Sequence, residues 1–341
     1  MIKPTGAWLT VNRACNFRCA GCYAQGTDYE PTKNMSLELA QQLLELLETL
    51  NIHNLIVIGG EPTLWEHLFD FNKLCRQRKI KTTLVTNAMK FGVDSFWDKY
   101  QLSPNTKAGI SVKAFDETSL KQITGVNLFE TTRKGIERGV SFFKCGVSTV
   151  LGSASADKLV DLAKFAMDCG TRSFSISPCT PAFCSGASDG SSVLHPHDIV
   201  QTIVGAYPEL DRITKGRLLL SVKLPLCIWP EGFVEMLVKK NQIRTVCQLH
   251  RRMGLIFDVD GKLALCNSLF EYTVGQFGID FYDKESLLKL MNSPATIALY
   301  DKLTSYPSTK CVGCDKYNVC AGGCPLFWSL YNPDDIILGN V

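Results

Sequence analysis

The sequence predicts an α/β protein: a parallel sheet, curved but not closed, with a small cysteine-rich region behind it. Three observations lead there. From residue 7 to 179, short apolar runs alternate with longer amphipathic stretches, the pattern of repeated βαβ units. Past residue 216 the alternation stops, and cysteines return at Cys227, Cys247, Cys266, Cys311, Cys314, Cys320 and Cys324. The chemically distinctive residues also fall at the C-terminal ends of the predicted strands, where parallel barrels gather their chemistry. Six such strands make a partial (β/α)6 TIM-like barrel, followed by a cysteine-rich C-terminal domain.

The first strand is the apolar run from Ala7 to Val11. Ser36 is an N-cap for a crossover helix whose leucines recur near helical spacing from Leu37 to Leu50. The continuous run Asn54–Ile58 is short enough for a buried parallel strand. Residues 66–78 then read as helix, 81–87 as strand, 93–100 as helix and 107–114 as strand. Helix over 128–138, strand over 140–151, helix over 156–169 and strand over 173–179 complete the run. Residues 180–196, rich in Gly, Ser and Pro, read as a loop and a domain boundary, and as a mobile cover for a substrate. A helix near 197–207 and an apolar run at 217–224 follow, and Leu255 to Cys266 reads as a hairpin turning at Asp260-Gly261. The expected division is 1–180, 181–216 and 217–341.

Composition limits the function. Of the 341 residues, 45% are hydrophobic and 20% charged, as in an ordinary globular chain. A net charge of +3, with no basic cluster, argues against a nucleic-acid partner. The N-terminus has no apolar signal region and no run is long enough to span a membrane, so the expectation is a cytoplasmic protein with no membrane partner. In a reducing compartment its 15 cysteines read as metal ligands and core thiols, not disulfides.

Cys15, Cys19 and Cys22 stand in Cys-x3-Cys-x2-Cys-Tyr spacing just after the first strand, with no fourth cysteine nearby. Soft thiolates at this spacing suit zinc or an iron–sulfur cluster, and three ligands to a four-iron cluster leave one iron open. Gly59-Gly60-Glu61-Pro62 ends the second strand, where glycines permit close backbone approach and Glu61 offers an anionic acceptor suited to an ammonium group. Near the C-terminus, Cys311-x2-Cys314-x5-Cys320-x3-Cys324 places four more soft ligands in a short span. A structural zinc loop and a zinc ribbon are the alternative readings of these two cysteine groups.

Cys-x3-Cys-x2-Cys-aromatic after a first strand, with Gly-Gly-Glu-Pro after the second, resembles the radical S-adenosylmethionine (SAM) enzymes. The C-terminal cysteines, with Cys247 and Cys266 flanking Gly261, resemble the SPASM extension of that family, which carries auxiliary four-iron clusters. The resemblance implies a 4Fe-4S cluster on Cys15, Cys19 and Cys22, and SAM contacts at Tyr23, Gly59, Gly60, Glu61, Asn87 and Ser111. It further implies one or two auxiliary 4Fe-4S clusters, the first on Cys247, Cys266 and Cys324 and the second on Cys311, Cys314 and Cys320. The family's cysteine downstream of the quartet is missing here. Cys227 is the candidate fourth ligand of the first auxiliary cluster, with an ordinary buried cysteine as the alternative, and Asp334 or Asp335 of the second, with an open site or an absent cluster as the alternatives. Cys75 and Cys169 read as core residues. Cys145, Cys179 and Cys184 face the barrel mouth in this reading, and Cys179 and Cys145 are candidate hydrogen-atom donors, with small buried hydrophobes as the alternative.

The implied activity is reductive cleavage of SAM to a 5′-deoxyadenosyl radical that abstracts a substrate hydrogen. A ribosomally made precursor peptide is the first candidate substrate. A radical dehydrogenase or epimerase of a sugar or aminocyclitol is the second reading, and a non-catalytic metal-binding or electron-transfer protein the third. The sequence opens at the first strand, so a separate peptide-recognition protein is expected, together with a flavodoxin- or ferredoxin-type reductant.

Overall fold

The computed structural model describes residues 2–25, 29–184, 187–245 and 247–339; the side chain of Cys184 lies outside the description. Six parallel strands follow one another in space as in sequence: β1 (Gly6–Thr10), β2 (Asn54–Ile58), β3 (Lys81–Thr86), β4 (Lys107–Ser111), β5 (Val147–Leu151) and β6 (Phe174–Pro178). The helices between them are α1 (Leu37–Thr49), α2 (Leu68–Gln77), α3 (Asp94–Leu102), α4 (Glu117–Thr124), α5 (Phe129–Phe143) and α6 (Leu159–Asp168). Ser36 caps α1 by accepting the amide of Leu39, and Ala40, Leu43, Leu44 and Leu47 line its buried face. β1 and β6 do not pair, so the barrel is open.

The sequence reading departs from the structure in four places. The strand expected over 140–151 is only Val147–Leu151, because α5 runs on to Phe143 and ends where Lys144 takes a left-handed conformation at φ 48°. Val140 and Gly139 belong to the helix face packed on the barrel, and a Cβ at Gly139 would come within 2.6 Å of Ile110 Cδ1. Helix α4 is an addition. Its signal was present in Asp116 and Ser119, which form a reciprocal capping box, and in Gly125, which ends it at φ 73°. The 180–196 segment contains a short antiparallel hairpin, β7 (Ala182–Cys184) with β8 (Ala187–Asp189). Finally, the sheet grows past six strands. After α7 (Pro196–Thr214), β9 (Leu218–Ser221) adds parallel to β6 and β10 (Ile243–Arg244) parallel to β9, with α8 (Phe233–Lys239) between them.

At the other edge, beyond the short α9 (Gln248–Arg251), β11 (Gly254–Phe257) adds parallel to β1. It turns at Gly261, φ 81°, into β12 (Lys262–Ala264), and β13 (Thr273–Gln276) completes an eleven-stranded sheet. Every residue of β11 is buried, and two helices follow the sheet, α10 (Lys284–Met291), whose Leu290 lies against Gly275 of β13, and α11 (Pro294–Leu303). The cysteine-bearing tail ends in two single turns, α12 (Tyr317–Cys320) and α13 (Pro333–Ile336).

One ion pair joins the two ends of the chain. Arg13, directly before the first cysteine loop, donates to both carboxylate oxygens of Asp258 at the end of β11. The two side chains are only 4% and 14% exposed, and the guanidinium also lies 4.8 Å from the centre of the Phe270 ring. No described helix is long and apolar enough to cross a membrane.

Candidate active site

The C-terminal ends of β1 to β6 surround a cavity of about 340 Å³ whose wall includes Cys15, Cys19, Cys22, Glu61, Asn87 and Ser111. Tyr23, Gly59, Gly60, Lys113, Cys179 and Ser192 also line it. Among the described residues no three His, Cys, Asp or Glu side chains converge as the ligands of a single ion do; the thiols ring a space instead.

The cysteine loop is held from below by α4. The amides of Arg18 and Ala20 donate to the carbonyls of Thr124 and Ile123, at 2.8 and 3.0 Å, using acceptors that a helix C-terminus leaves open. Phe17 is the loop's anchor, buried with Met89, Ala114 and Leu120. Its amide points at Cys15 Sγ, 3.4 Å away. Gly21 sits at φ 68°, and a Cβ there would meet Cys179 Sγ at 2.8 Å and Ser192 Cβ at 2.7 Å. The segment after β8 therefore closes against the cysteine loop.

Gly59 and Gly60 serve the loop's stem. A Cβ on Gly60 would lie 2.3 Å from the carbonyl oxygens of both Arg13 and Ala14, and one on Gly59 would lie 2.2 Å from Asn12 Oδ1. The close approach lets the amides of Gly60 and Glu61 donate to the carbonyls of Asn12 and Ala14 at 2.9 and 2.8 Å. The Glu61 carboxylate already accepts from four donors, three on Oε1 and one on Oε2. It receives Thr63 N at 3.1 Å, Thr63 Oγ1 at 2.7 Å, Thr86 Oγ1 at 2.6 Å and Asn87 N at 2.8 Å, so it braces the end of β2 against the end of β3. Burial raises its carboxyl above the ordinary range, with these donors opposing. Asn87 in turn donates its Nδ2 to Asn16 Oδ1, 2.8 Å away, inside the cysteine loop. Tyr23 donates its hydroxyl to Gly59 O at 3.2 Å.

Burial pushes the Cys15 thiol up to about 12, and raises Cys19 too, against the pull of Lys113. Neutral thiols crowded in a dry pocket become thiolates when a cation joins them. Asn16 Nδ2 is buried with no partner in the same loop. The donor set thus fits an iron–sulfur cluster with room beside it.

Cys179 reaches this cavity, its Sγ 3.6 Å from Gly21 O. Cys145 does not. It precedes β5, at the opposite end of the strands, where its carbonyl accepts from Arg172 N. Cys75 and Cys169 are buried in the core. The Cys184 side chain, Ser185 and Gly186 lie outside the described residues. Thr86 and the Arg13–Asp258 pair are additions, visible in the sequence only as ordinary polar residues.

The C-terminal cysteines line two further cavities. Cys247, Cys266 and Cys324 share one of about 220 Å³, which Cys320 also touches. Cys311, Cys314 and Cys320 share one of about 490 Å³, and Cys227 stands on the wall of this second cavity instead of with Cys247 and Cys266. Asp334 accepts Ser308 Oγ at 2.5 Å and, like Asp335, is not among the residues lining it.

A family model described as the radical SAM superfamily matches residues 9–166. Among curated proteins the chain is similar to a probable GTP 3′,8-cyclase of Thermococcus kodakarensis, 26% identical over 175 residues, covering 49% of this chain and 54% of that protein. It is also similar to the GTP 3′,8-cyclase of Haemophilus influenzae, 29% identical over 161 residues, covering 44% and 46%. The chain spans about half the length of these curated relatives. Among solved structures it resembles Streptococcus suis SuiB bound to precursor peptide SuiA, with a TM-score of 0.68, 16% identity, and 98% of this chain and 74% of that one covered. It resembles anSMEcpe with bound AdoMet and the Cp18Cys peptide, with a TM-score of 0.69, 19% identity, and 94% and 89% covered. These structural likenesses are likenesses of fold.

Proposed function

We propose, from the match of residues 9–166 to the radical SAM superfamily, that the protein reductively cleaves SAM and uses the resulting radical to modify a ribosomally made peptide. The observation that carries the first half is one cavity walled by Cys15, Cys19, Cys22, Glu61, Asn87 and Ser111. Radical SAM domains use a 4Fe-4S cluster and SAM, which together supply a 5′-deoxyadenosyl radical able to abstract a hydrogen atom.

The chain's own contribution is position and exclusion of water. Cys15, Cys19 and Cys22 hold the cluster, and α4 keeps their loop in place. Glu61 and Asn87 lock the ends of β2 and β3 onto that loop, so the cavity floor does not yield when SAM binds. Tyr23 and Gly59 face the cofactor space, and Ser111 and Lys113 line its β4 side. Ser192 closes the rim against Gly21. The 217–341 region carries one or two auxiliary clusters on its cysteines, beside the barrel region 1–180 and the connecting 181–216.

The peptide half rests on extent. The two solved structures named above, similar across nearly this whole chain, are complexes with peptides, whereas the cyclase likeness covers about half of it. A separate peptide-recognition protein and a flavodoxin- or ferredoxin-type reductant are the partners this reading calls for. One observation favours the small-molecule reading: Cys179 Sγ stands in the same cavity, where a thiol could return a hydrogen atom to a substrate radical, as an epimerase requires.

The test uses reconstituted protein, dithionite and SAM, with 5′-deoxyadenosine measured by chromatography and a precursor peptide encoded beside the gene followed by mass spectrometry. Expected are 5′-deoxyadenosine and a peptide lighter by a pair of hydrogens. The Cys15→Ala, Cys19→Ala, Cys22→Ala triple variant should lose both while keeping auxiliary-cluster absorption. SAM cleavage by that variant refutes the site. An unaltered peptide, with solvent deuterium entering a sugar in a Cys179-dependent way, replaces the peptide reading by the epimerase one. No SAM cleavage by the wild type leaves an electron-transfer protein.

A further inference from the structure

We propose that Cys227 closes a four-thiolate site with Cys311, Cys314 and Cys320, so that the second auxiliary cluster is fully protein-ligated and Cys227 is not the fourth ligand of the Cys247, Cys266 and Cys324 set. The inference rests on the radical SAM reading for the identity of the cluster, but its geometry stands on this chain alone.

The four thiols line one cavity of about 490 Å³. Cys227 lies in a single helical turn, Leu226–Ile228, and the amide of Leu226 donates to Cys320 Sγ at 3.2 Å, so this turn is already bonded to a member of the quartet. The same chain segment is fastened a second time where Cys324 N donates to the carbonyl of Lys223 at 2.7 Å. That approach depends on Gly323, in the left-handed region at φ 83°, whose added Cβ would meet Pro225 Cδ at 2.9 Å and Lys223 O at 3.0 Å. The 223–228 segment thus runs between the two cysteine sets and delivers Cys227 to the side of Cys311 and Cys320.

The cavity also holds an unanswered donor. The Tyr317 hydroxyl is buried without a partner on the same wall, where cluster sulfur would accept it. The tail that passes the cavity after the quartet contributes Ile337 and Gly339, which bring no ligand atom of their own side chains. A soft four-thiolate donor set is the ordinary complement of a 4Fe-4S cluster. Cys247, Cys266 and Cys324, by contrast, face His250 Nε2 and Asn267 Oδ1, both buried and unpartnered.

The test compares full-length wild type with Cys227→Ala, Cys227→Ser, Cys314→Ala and Cys266→Ala, each reconstituted anaerobically. Iron and sulfide content, Mössbauer and EPR spectra and far-ultraviolet circular dichroism are the readouts. Cys227→Ala should lose about four irons per chain, as Cys314→Ala does, and the double variant should lose no more than either. Cys227→Ser should hold iron with an altered signal of the same cluster, which keeps the test decisive should the alanine variant misfold. Three results overturn the proposal: full iron and an unchanged spectrum in both Cys227 variants, a Cys227→Ala spectrum matching Cys266→Ala, or a wild type already lacking the signal that Cys314→Ala removes. Formation of 5′-deoxyadenosine is scored separately, because its absence in wild type sinks the radical SAM reading without touching the ligand count.

Discussion

Replacing Gly60 by Ala should displace the stem of the first cysteine loop. The new methyl would sit 2.3 Å from two backbone carbonyl oxygens, Arg13 O and Ala14 O, and backbone cannot swing aside as a side-chain tip does. Relieving the overlap needs a shift of about 1 Å, an overpacking cost of about 1–3 kcal/mol. That shift breaks or bends the bonds from Gly60 N to Asn12 O and Glu61 N to Ala14 O, each worth about 0.5–1.5 kcal/mol. The total is about 2–6 kcal/mol, to be read by chemical denaturation of the cluster-free chain under reducing conditions. 5′-Deoxyadenosine formation by the reconstituted variant should fall at least tenfold, since about 1 Å at the positioning groups is enough to spoil geometry. Gly205→Ala is the control. That exposed glycine in α7 has nothing within 4 Å of a new Cβ, and the change should stabilise by about 0.5–1 kcal/mol. Gly60→Ala within 0.5 kcal/mol of wild type, with SAM cleavage intact, would refute the account of this turn.

Three further outcomes are expected. Asp258→Asn leaves the Arg13 guanidinium buried and uncompensated, so unfolding should become easier by about 3–5 kcal/mol, and a double change of Arg13 to Met and Asp258 to Leu should recover most of it; equal losses in single and double variants argue against the pair. Burial raises the Glu61 carboxyl in the folded state above its ordinary 4.5, so its contribution to stability is complete below that pH and declines as pH rises through the folded value; Glu61→Gln should remove this component from the stability–pH curve, and an unchanged curve contradicts it. Excising Ala182–Asp189, which lead into the Ser192 contact with Gly21, should raise 5′-deoxyadenosine released without product, because the rim no longer closes; wild-type coupling would make the segment a plain connection.

The barrel and its cofactor cavity could be read early because both are written in local signals. Period-two burial in β1 and β3, helical spacing in α1, and cysteines and glycines at strand ends need no knowledge of distant partners. Helix α4 is equally legible in Asp116, Ser119 and Gly125, but its 8 residues are too short to show a sustained apolar period. The 140–151 misreading has the opposite cause: Val140 and Phe143 favour a strand by propensity, while packing of Gly139 on Ile110 and Phe91 keeps them helical.

Pairing between residues far apart in the chain could not be read this way. The sequence by itself determined which thiols stand at ligand spacing and at which strand ends they fall, because residue type and spacing are local properties. Only the tertiary structure decided that β9 and β11 extend the two edges of the sheet, that Arg13 meets Asp258, that Cys145 lies at the wrong end of its strand, and that Cys227 stands with Cys311 and not with Cys266. The physical reason is common to the three that join distant segments. Contact between distant segments is set by edge hydrogen bonds left open, by charges that must be paired when buried, and by glycines such as Gly323 that let two backbones touch, and sequence distance does not encode these.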